Sequence, residues 1–387
     1  MANIKETLLS TVRNGKTVLA DIASTRRNAN DITVEKGRVQ ATIDQLHPYR
    51  LNLVVESITD AAEGAKTIRF ASANGYLPPF EAGQYINVFV EIDGVITSRP
   101  YSISSSPRQK SYYEITVARI AGGFVSDYFL DKVKVGDRFS ANGPQGVFHY
   151  NPVFHKKKSV FLAGGSGVTP FLSMTREILE AGLDREIVFI YGIRNTSVAI
   201  AHEELSSYAE KYDNFRYIPV VSDKDPSWKG KTGFLNKKLI SEVVGDVSDC
   251  TFYVCGPLVM NEFCLAELEA LGVPRKRIRR ELFASRKDIW NEPGWPENLK
   301  GKEVFNVKIG DKTIPAVSGE SLLTSLEKAG VRVNVCCRSG ECSLCRVKLV
   351  SGKVYTAKGA LMRFADEKFG YIHSCKAYPA SDLEIIL

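Results

Sequence analysis

Near the C-terminus, Cys337, Cys342, Cys345 and Cys375 form a C-x4-C-x2-C run with a distant fourth member. Thiolates at this spacing can gather on one tight loop, and the pattern is that of the plant-type [2Fe–2S] ligand set. Gly340, inside the first interval, lets the chain take positive φ and turn amide N–H groups toward the sulfurs. A zinc ribbon is the competing reading, but such ribbons pair two short C-x2-C knuckles and only one such interval exists here. Cys336 stands beside Cys337; using it would lengthen the first gap, so Cys337 is read as the ligand and Cys336 as a bystander.

Two further stretches carry residue types suited to phosphates and rings. Gly164-Gly165-Ser166-Gly167-Val168-Thr169-Pro170 follows the apolar run Val160–Ala163 and precedes a helical pattern. Glycines let the backbone approach a pyrophosphate, and a helix N-terminus adds free amides and the positive end of a dipole. Thr169 is expected as the N-cap and Pro170 at the first helical position. This is not the G-x-G-x-x-G fingerprint, and a glycine-rich turn of this kind also serves as a plain structural joint. Arg99-Pro100-Tyr101-Ser102 offers a planar cationic fork, an aromatic face with a hydroxyl, and a small donor, although four such residues in a strand are also often structural. His47, His149, His155, His202 and His373 fall in no catalytic spacing and are read as ordinary core or surface histidines.

The elements that must position these groups follow from pattern and length. With 387 residues, the chain exceeds one ordinary core. Residues 1–47 form an extension in which Ile4, Leu8 and Val12, then Val18, Leu19 and Ile22, recur at helical spacing, whereas Ile32–Val34 and Val39–Ile43 read as short strands. Over 48–152, runs such as Leu51–Ile58, Ile86–Ile92 and Tyr113–Arg119 alternate with Asn74-Gly75, Asp93-Gly94 and Gly122-Gly123, which predicts a closed antiparallel six-stranded β-barrel. Over 153–285, buried-strand runs alternate with helical patterns, which predicts an α/β domain on a parallel five-stranded sheet. Residues 286–302, around Pro293-Gly294-Trp295-Pro296, read as a linker, and 303–387 as a compact α+β unit holding the cysteines. Lys plus Arg number 51 against 44 Asp plus Glu, a mild and scattered excess that argues against nucleic acid and allows an acidic protein partner. No run approaches a membrane span, and the eight cysteines suit a reducing cytoplasm.

Taken in order, Arg99-Pro100-Tyr101-Ser102, Gly122-Gly123-Phe124-Val125-Ser126, Gly164–Pro170, Tyr191-Gly192-Ile193-Arg194, Cys255-Gly256-Pro257 and the cysteine run resemble the ferredoxin–NADP reductase superfamily. The resemblance is to its oxygenase reductases, the branch ending in a plant-type ferredoxin domain of β-grasp fold, as in the phthalate dioxygenase and ring-hydroxylating monooxygenase reductases. It covers about residues 49–387. It implies that Arg99 holds a flavin phosphate, Tyr101 the ribityl chain and Ser102 the region of flavin N5, with Pro100 between them. It implies that Thr116, Val117 and Arg119 line the ring, and that Gly122, Gly123 and Ser126 cradle the pyrophosphate. Gly164, Gly165, Gly167 and Thr169, with Arg194, would bind the nicotinamide dinucleotide. Cys255, Gly256 and Pro257 would face the nicotinamide, and Phe283 would shield the flavin ring or merely end a strand.

Ser102 and Cys255 are thus the residues nearest the reacting atoms; hydride transfer needs no general acid or base, and no triad is expected. The motif context resembles the FAD members more than those using FMN. Neutral Asn195, Thr196 and Ser197 after Arg194 favour NADH over NADPH. The function implied is an NAD(P)H-dependent flavin/[2Fe–2S] reductase that feeds single electrons to a separate redox protein such as an oxygenase component. The same wiring toward an anaerobic acceptor or from ferredoxin to NAD, and a non-catalytic redox sensor, are the alternatives. Ser343 departs from the family pattern, which more often has glycine there.

Overall fold

Val39, Ile43 and Leu46 recur at helical intervals, and the segment holding them is a helix rather than the strands expected over 32–43. The computed structural model describes residues 11, 14–28, 32–46, 48–282 and 288–387. Residues 1–49 form a separate unit whose described elements are α1 (Gly15–Asn28) and α2 (Ile32–Leu46). The β-branched residues suggested strands, but a strand needs a hydrogen-bonded neighbour, and no strand is found among this unit's described residues. Ile4, Leu8, Val12 and His47 lie outside the described residues.

Residues 50–387 form the second unit. It opens with six antiparallel strands: β1 (Leu51–Ala62), β2 (Ala65–Ser72), β3 (Tyr85–Ile92), β4 (Val95–Ser102), β5 (Tyr112–Ala118) and β6 (Arg138–Gln145). They pair in the order β4-β3-β6-β1-β2-β5, and a bridge from Ile103 to Ile115 closes the sheet into the expected barrel. At the β3–β4 hairpin, Asp93 and Gly94 take φ of 50° and 77°, a backbone twist that matches two-residue hairpins. Alternate residues such as Leu51, Leu53 and Val55 point into a core completed by Phe129 from α3 (Phe124–Asp131).

A parallel sheet follows: β7 (Lys158–Gly164), β8 (Glu186–Ile193), β9 (Phe215–Val221), β10 (Lys231–Thr232), β11 (Cys250–Gly256) and β12 (Ile278–Leu282), in the order β10-β9-β8-β7-β11-β12. The five expected strands are present, and the two residues of β10 add a short sixth at the edge. That strand is too brief to show as an apolar run. Helices α4 (Thr169–Glu180) and α5 (His202–Lys211) pack on one face through Phe171, Ile178 and Leu205. Helices α6 (Lys237–Val244) and α7 (Leu258–Ala270) cover the other through Ile240, Cys264 and Leu268. The barrel and this sheet share packing: Arg176 of α4 reaches the Ser104 carbonyl at 2.8 Å and pairs with Glu204 and Glu114, with side chains mostly buried.

The last portion is α+β. Strands β13 (Val304–Ile309), β14 (Lys312–Val317), β15 (Arg346–Ser351), β17 (Tyr371–His373) and β19 (Leu383–Ile386) form a mixed sheet ordered β14-β13-β19-β15-β17. A small hairpin of β16 (Val354–Thr356) and β18 (Ala377–Pro379), helix α8 (Leu322–Lys328) and the short α9 (Phe364–Lys368) complete it. Residues 288–302, expected as a linker, pack into this portion. Ile289, Trp295 and Leu299 share a core with Ala357 and Tyr378, and the Trp295 indole donates to the Leu299 carbonyl at 2.7 Å. Proline and charge made the stretch look open, whereas its buried tryptophan is the stronger signal.

Candidate functional site

The C-terminal ends of the parallel strands face the open end of the barrel, and between them lies a cleft of about 1290 Å³, larger than a single drug-sized ligand needs. Arg99, Pro100, Tyr101, Ser102, Thr116, Val117, Arg119, Gly122, Gly123, Ser126, Gly164, Gly165, Thr169, Arg194 and Pro257 all line it. Gly167, Cys255 and Gly256 lie beneath its floor rather than on its wall, and Phe283 lies outside the described residues. None of His149, His155, His202 or His373 lines the cleft.

Strand β4 supplies the first wall. The Arg99 guanidinium donates to the neutral oxygens of Thr97 (2.9 Å) and of the Ser98 carbonyl (2.7 Å). Burial, with Arg338 close by, pulls its pKa down to about 10. A cation held this way, beside another cation, is suited to an anionic ligand such as a phosphate. Tyr101 is wedged edge-on against Phe129, with ring centroids 5.5 Å apart. The Ser102 hydroxyl is buried and has no partner among the described residues.

Opposite, Gly122 takes φ of 66°, and a Cβ on Gly123 would fall 2.1 Å from the Ser126 hydroxyl, so only glycine permits this turn. Arg119 is turned aside onto α3, where it pairs with Asp127 and Asp131 at 3.0 and 2.6 Å. The unpartnered Ser102 hydroxyl, the glycine-only turn and the phosphate-suited arginine fit a flavin.

At the sheet end, Gly165–Val168 forms a tight 3-10 turn before α4. Thr169 is therefore already helical, and its hydroxyl bonds back to the Ser166 carbonyl at 3.0 Å instead of capping as expected. The extra turn shifts the helix start, which the sequence pattern alone does not reveal. Tyr191 anchors the turn by donating to the Gly165 carbonyl at 2.8 Å. A Cβ on Gly167 would lie 2.2 Å from the Cys255 carbonyl oxygen, so this glycine serves close packing onto β11. Gly167→Ala is expected to cost about 3 kcal/mol of stability and to weaken nicotinamide dinucleotide binding; urea denaturation and a binding titration check both.

Cys255 is fully buried, and burial holds its thiol well above the usual range. Its register partner on β12 is Glu281, a residue the sequence reading passed over. Burial, then the nearby Glu341, raises the Glu281 carboxyl well above its ordinary pKa. The Asn261 amide ties down the following turn by donating to the Gly256 carbonyl at 2.9 Å.

Three of the four cysteines stand on one loop before β15, and Cys375 lies on the turn between β17 and β18. Cys337, Cys345 and Cys375 are buried and Cys342 half-buried. Their thiols form two linked pairs, Cys337 with Cys342 and Cys345 with Cys375. Hydrogen bonding from Cys342, then from Ser339, pulls the Cys337 thiol below its usual range, and the Ser339 and Cys342 amides each reach its sulfur at 3.4 Å. Two thiol pairs with amide donors suit a two-iron cluster better than one zinc ion.

Arg338, Gly340 and Ser343 take φ of 53°, 83° and 58°, so Ser343 holds a left-handed conformation that glycine would adopt without strain. Buried His373 steadies the loop through the Gly340 carbonyl at 3.1 Å. The buried Cys336 thiol faces the Tyr85 hydroxyl of β3 at 3.8 Å.

The cysteine loop sits on the barrel. The Asn87 amide donates to the Val335 carbonyl at 3.1 Å, and Thr97 donates to Glu327 of α8 at 3.0 Å. Arg338 pairs with Glu327 and donates to the hydroxyls of Thr97 and Ser98 at 3.1 and 3.4 Å. One strand, β4, therefore touches the cluster loop at Thr97–Ser98 and the cleft at Arg99–Ser102. Thr97 and Ser102, the ends of that contact, are five residues apart, roughly 16 Å of extended chain.

Three family models match in succession: an oxidoreductase FAD-binding domain over residues 54–150, an oxidoreductase NAD-binding domain over 161–265, and a 2Fe-2S iron–sulfur cluster binding domain over 305–380. The chain is similar to the glycine betaine monooxygenase reductase subunit of Pseudomonas aeruginosa, 28% identical over 88% of this chain and 94% of that one. Ferredoxin–NADP reductase B of Sorangium cellulosum is 32% identical over 62% of this chain and 99% of its own length. Among solved structures, phthalate dioxygenase reductase, described as modular for electron transfer from pyridine nucleotides to [2Fe–2S], matches 87% of this chain and 97% of its own at a TM-score of 0.65 and 25% identity. No described helix is long and apolar enough to cross a membrane.

Proposed function

Because the chain belongs to the ferredoxin–NADP reductase superfamily, in the oxygenase-reductase type that ends in a plant-type [2Fe–2S] domain, we propose that it takes electron pairs from NADH and delivers single electrons to a separate oxygenase component. The observation that carries this reading is the shared strand β4, which puts the cluster loop against the wall of the cleft. When bound, flavin exchanges electrons in pairs with nicotinamide and singly with iron–sulfur, which is the conversion required.

The chain's own residues position and shield. Arg99 holds the flavin phosphate, Gly122, Gly123 and Ser126 cradle the pyrophosphate of FAD, and Tyr101 fixes the chain between. Ser102 aims a hydroxyl at the reacting edge, while Thr116 and Val117 wall it from water. Gly164 and Gly165 admit the dinucleotide backbone, with Arg194 and Pro257 at its two ends. Cys255 and Glu281, register partners on β11 and β12, are buried side by side at this end of the sheet, and burial raises both pKa values.

NADH is favoured by Glu63 at the cleft rim, whose carboxylate accepts from Ser197 at 2.6 Å and would repel a 2′-phosphate. Reconstituted protein should bleach its flavin band and then its cluster band when NADH is added without oxygen. Material that holds no flavin, or zinc in place of iron and sulfide, would overturn the assignment.

The Arg338–Glu327–Thr97 network gives this reading a sharper test. Both charged side chains are nearly buried, 13% and 11% exposed, and removing Glu327 leaves the Arg338 cation uncompensated beside Arg99. Glu327→Ala is expected to weaken docking of the cluster loop by about 3–5 kcal/mol. In stopped-flow measurements, NADH-to-flavin transfer should stay near wild type while flavin-to-cluster transfer slows at least about tenfold.

A further inference from the structure

The cleft and the shared strand explain how electrons enter and cross the molecule, not where they leave. The Leu361 amide donates to the Gly340 carbonyl in the cysteine loop at 3.0 Å. Farther along, Asp366 accepts from Arg346, the residue after Cys345, at 3.1 Å. Between these two ties the chain, including the start of α9, is laid along the cysteine loop.

Several of the side chains exposed on it and just beyond it are large and apolar. Phe364 is 80% exposed, Phe369 64% and Leu361 55%, and Leu344, between two of the ligands, is 43% exposed. A single exposed apolar residue needs no explanation, but four on and beside one loop mark an interaction surface. The charges around them are mostly of one sign. Lys358, Arg363 and Lys368 on this segment and Lys348 on β15 are exposed, whereas Asp366 is buried in its pair with Arg346. Exposed Glu367 and half-buried Glu341 are the acids close by.

We propose that this apolar patch and its cationic rim are the surface through which the cluster hands electrons on, and that the partner is a redox protein presenting an acidic face around an apolar contact for Phe364. This rests on the reading of the chain as a one-electron donor. The surface suits a brief, productive encounter: charge guides the partner in, and a small apolar centre holds it without slowing release. A partner with a basic face would be repelled at this rim.

The test uses the reconstituted full chain driven by NADH, with cytochrome b5 as an acidic acceptor and cytochrome c as a basic one. The second-order rate with cytochrome b5 should fall as salt rises, and the rate with cytochrome c should climb. Phe364→Ala, and separately the double change Arg363→Glu with Lys368→Glu, should each slow cytochrome b5 reduction about tenfold or more. The double change should also flatten or reverse its salt dependence, while NADH still bleaches flavin and cluster at the wild-type rate. Unchanged cytochrome b5 kinetics in both variants, or a salt dependence of the wrong sign in the parent, would overturn the surface assignment. Failure of NADH to bleach either group in the parent would instead overturn the electron-transfer reading beneath it.

Discussion

Cys345→Ser is expected to abolish delivery of electrons to a protein acceptor while leaving the flavin end of the molecule working. Cys345 is buried and its thiol interacts with that of Cys375, so a serine there would remove one of the four thiolates that would hold the cluster. A hydroxyl is a far poorer ligand because it stays protonated where a thiol ionises. Iron and acid-labile sulfide should drop to background, and electron delivery should fall more than about 100-fold. The cluster of buried side chains around Cys345 meets the barrel through Phe89 of β3 but shares no residue with the barrel core, so flavin content and NADH-dependent dye reduction should persist. Delivery at the parental rate would mean that electrons leave directly from the cleft.

Arg99→Ala has the second large effect, on flavin affinity. The guanidinium is already oriented by Thr97 and Ser98 and carries a charge that its buried setting disfavours. A phosphate held there gains charge-assisted bonds worth about 2–3 kcal/mol, so removing them should weaken flavin binding roughly 30- to 150-fold. Arg99→Lys should recover only part of this, since an ammonium cannot reproduce the planar fork. Equilibrium dialysis with FAD gives the affinity, and an unchanged cluster spectrum confirms that the C-terminal portion is intact.

Much of this was legible in the sequence because it rests on local spacing. The cysteine interval, the period-two runs of the barrel and the alternating elements of the parallel sheet each follow from the chain's own periodicity. What stayed hidden depends on elements meeting across space. Glu281 gains meaning only when β12 pairs in register with β11 and sets it opposite Cys255. Thr169 was misplaced as a cap because Gly165–Val168 folds into a turn of its own before the helix. The stretch around Trp295 reads as a tether in sequence, whereas in the fold the tryptophan is buried against Tyr378. Val39 to Ile43 read as strand from β-branched content, yet with Leu46 their spacing is helical. Neither Thr97 nor Arg338 carries any signature of the contact between them, since they stand 241 positions apart in the chain.

Strand β4 limits how freely this architecture can be recombined. An octapeptide that answers at one end to iron–sulfur and at the other to flavin cannot drift to suit either alone. A chimera grafting a foreign C-terminal module onto this barrel would inherit Thr97 and Ser98 without the arginine and glutamate they engage. Such a graft would retain both redox groups and lose the fixed span between them, so the natural unit of exchange is the C-terminal module together with this strand.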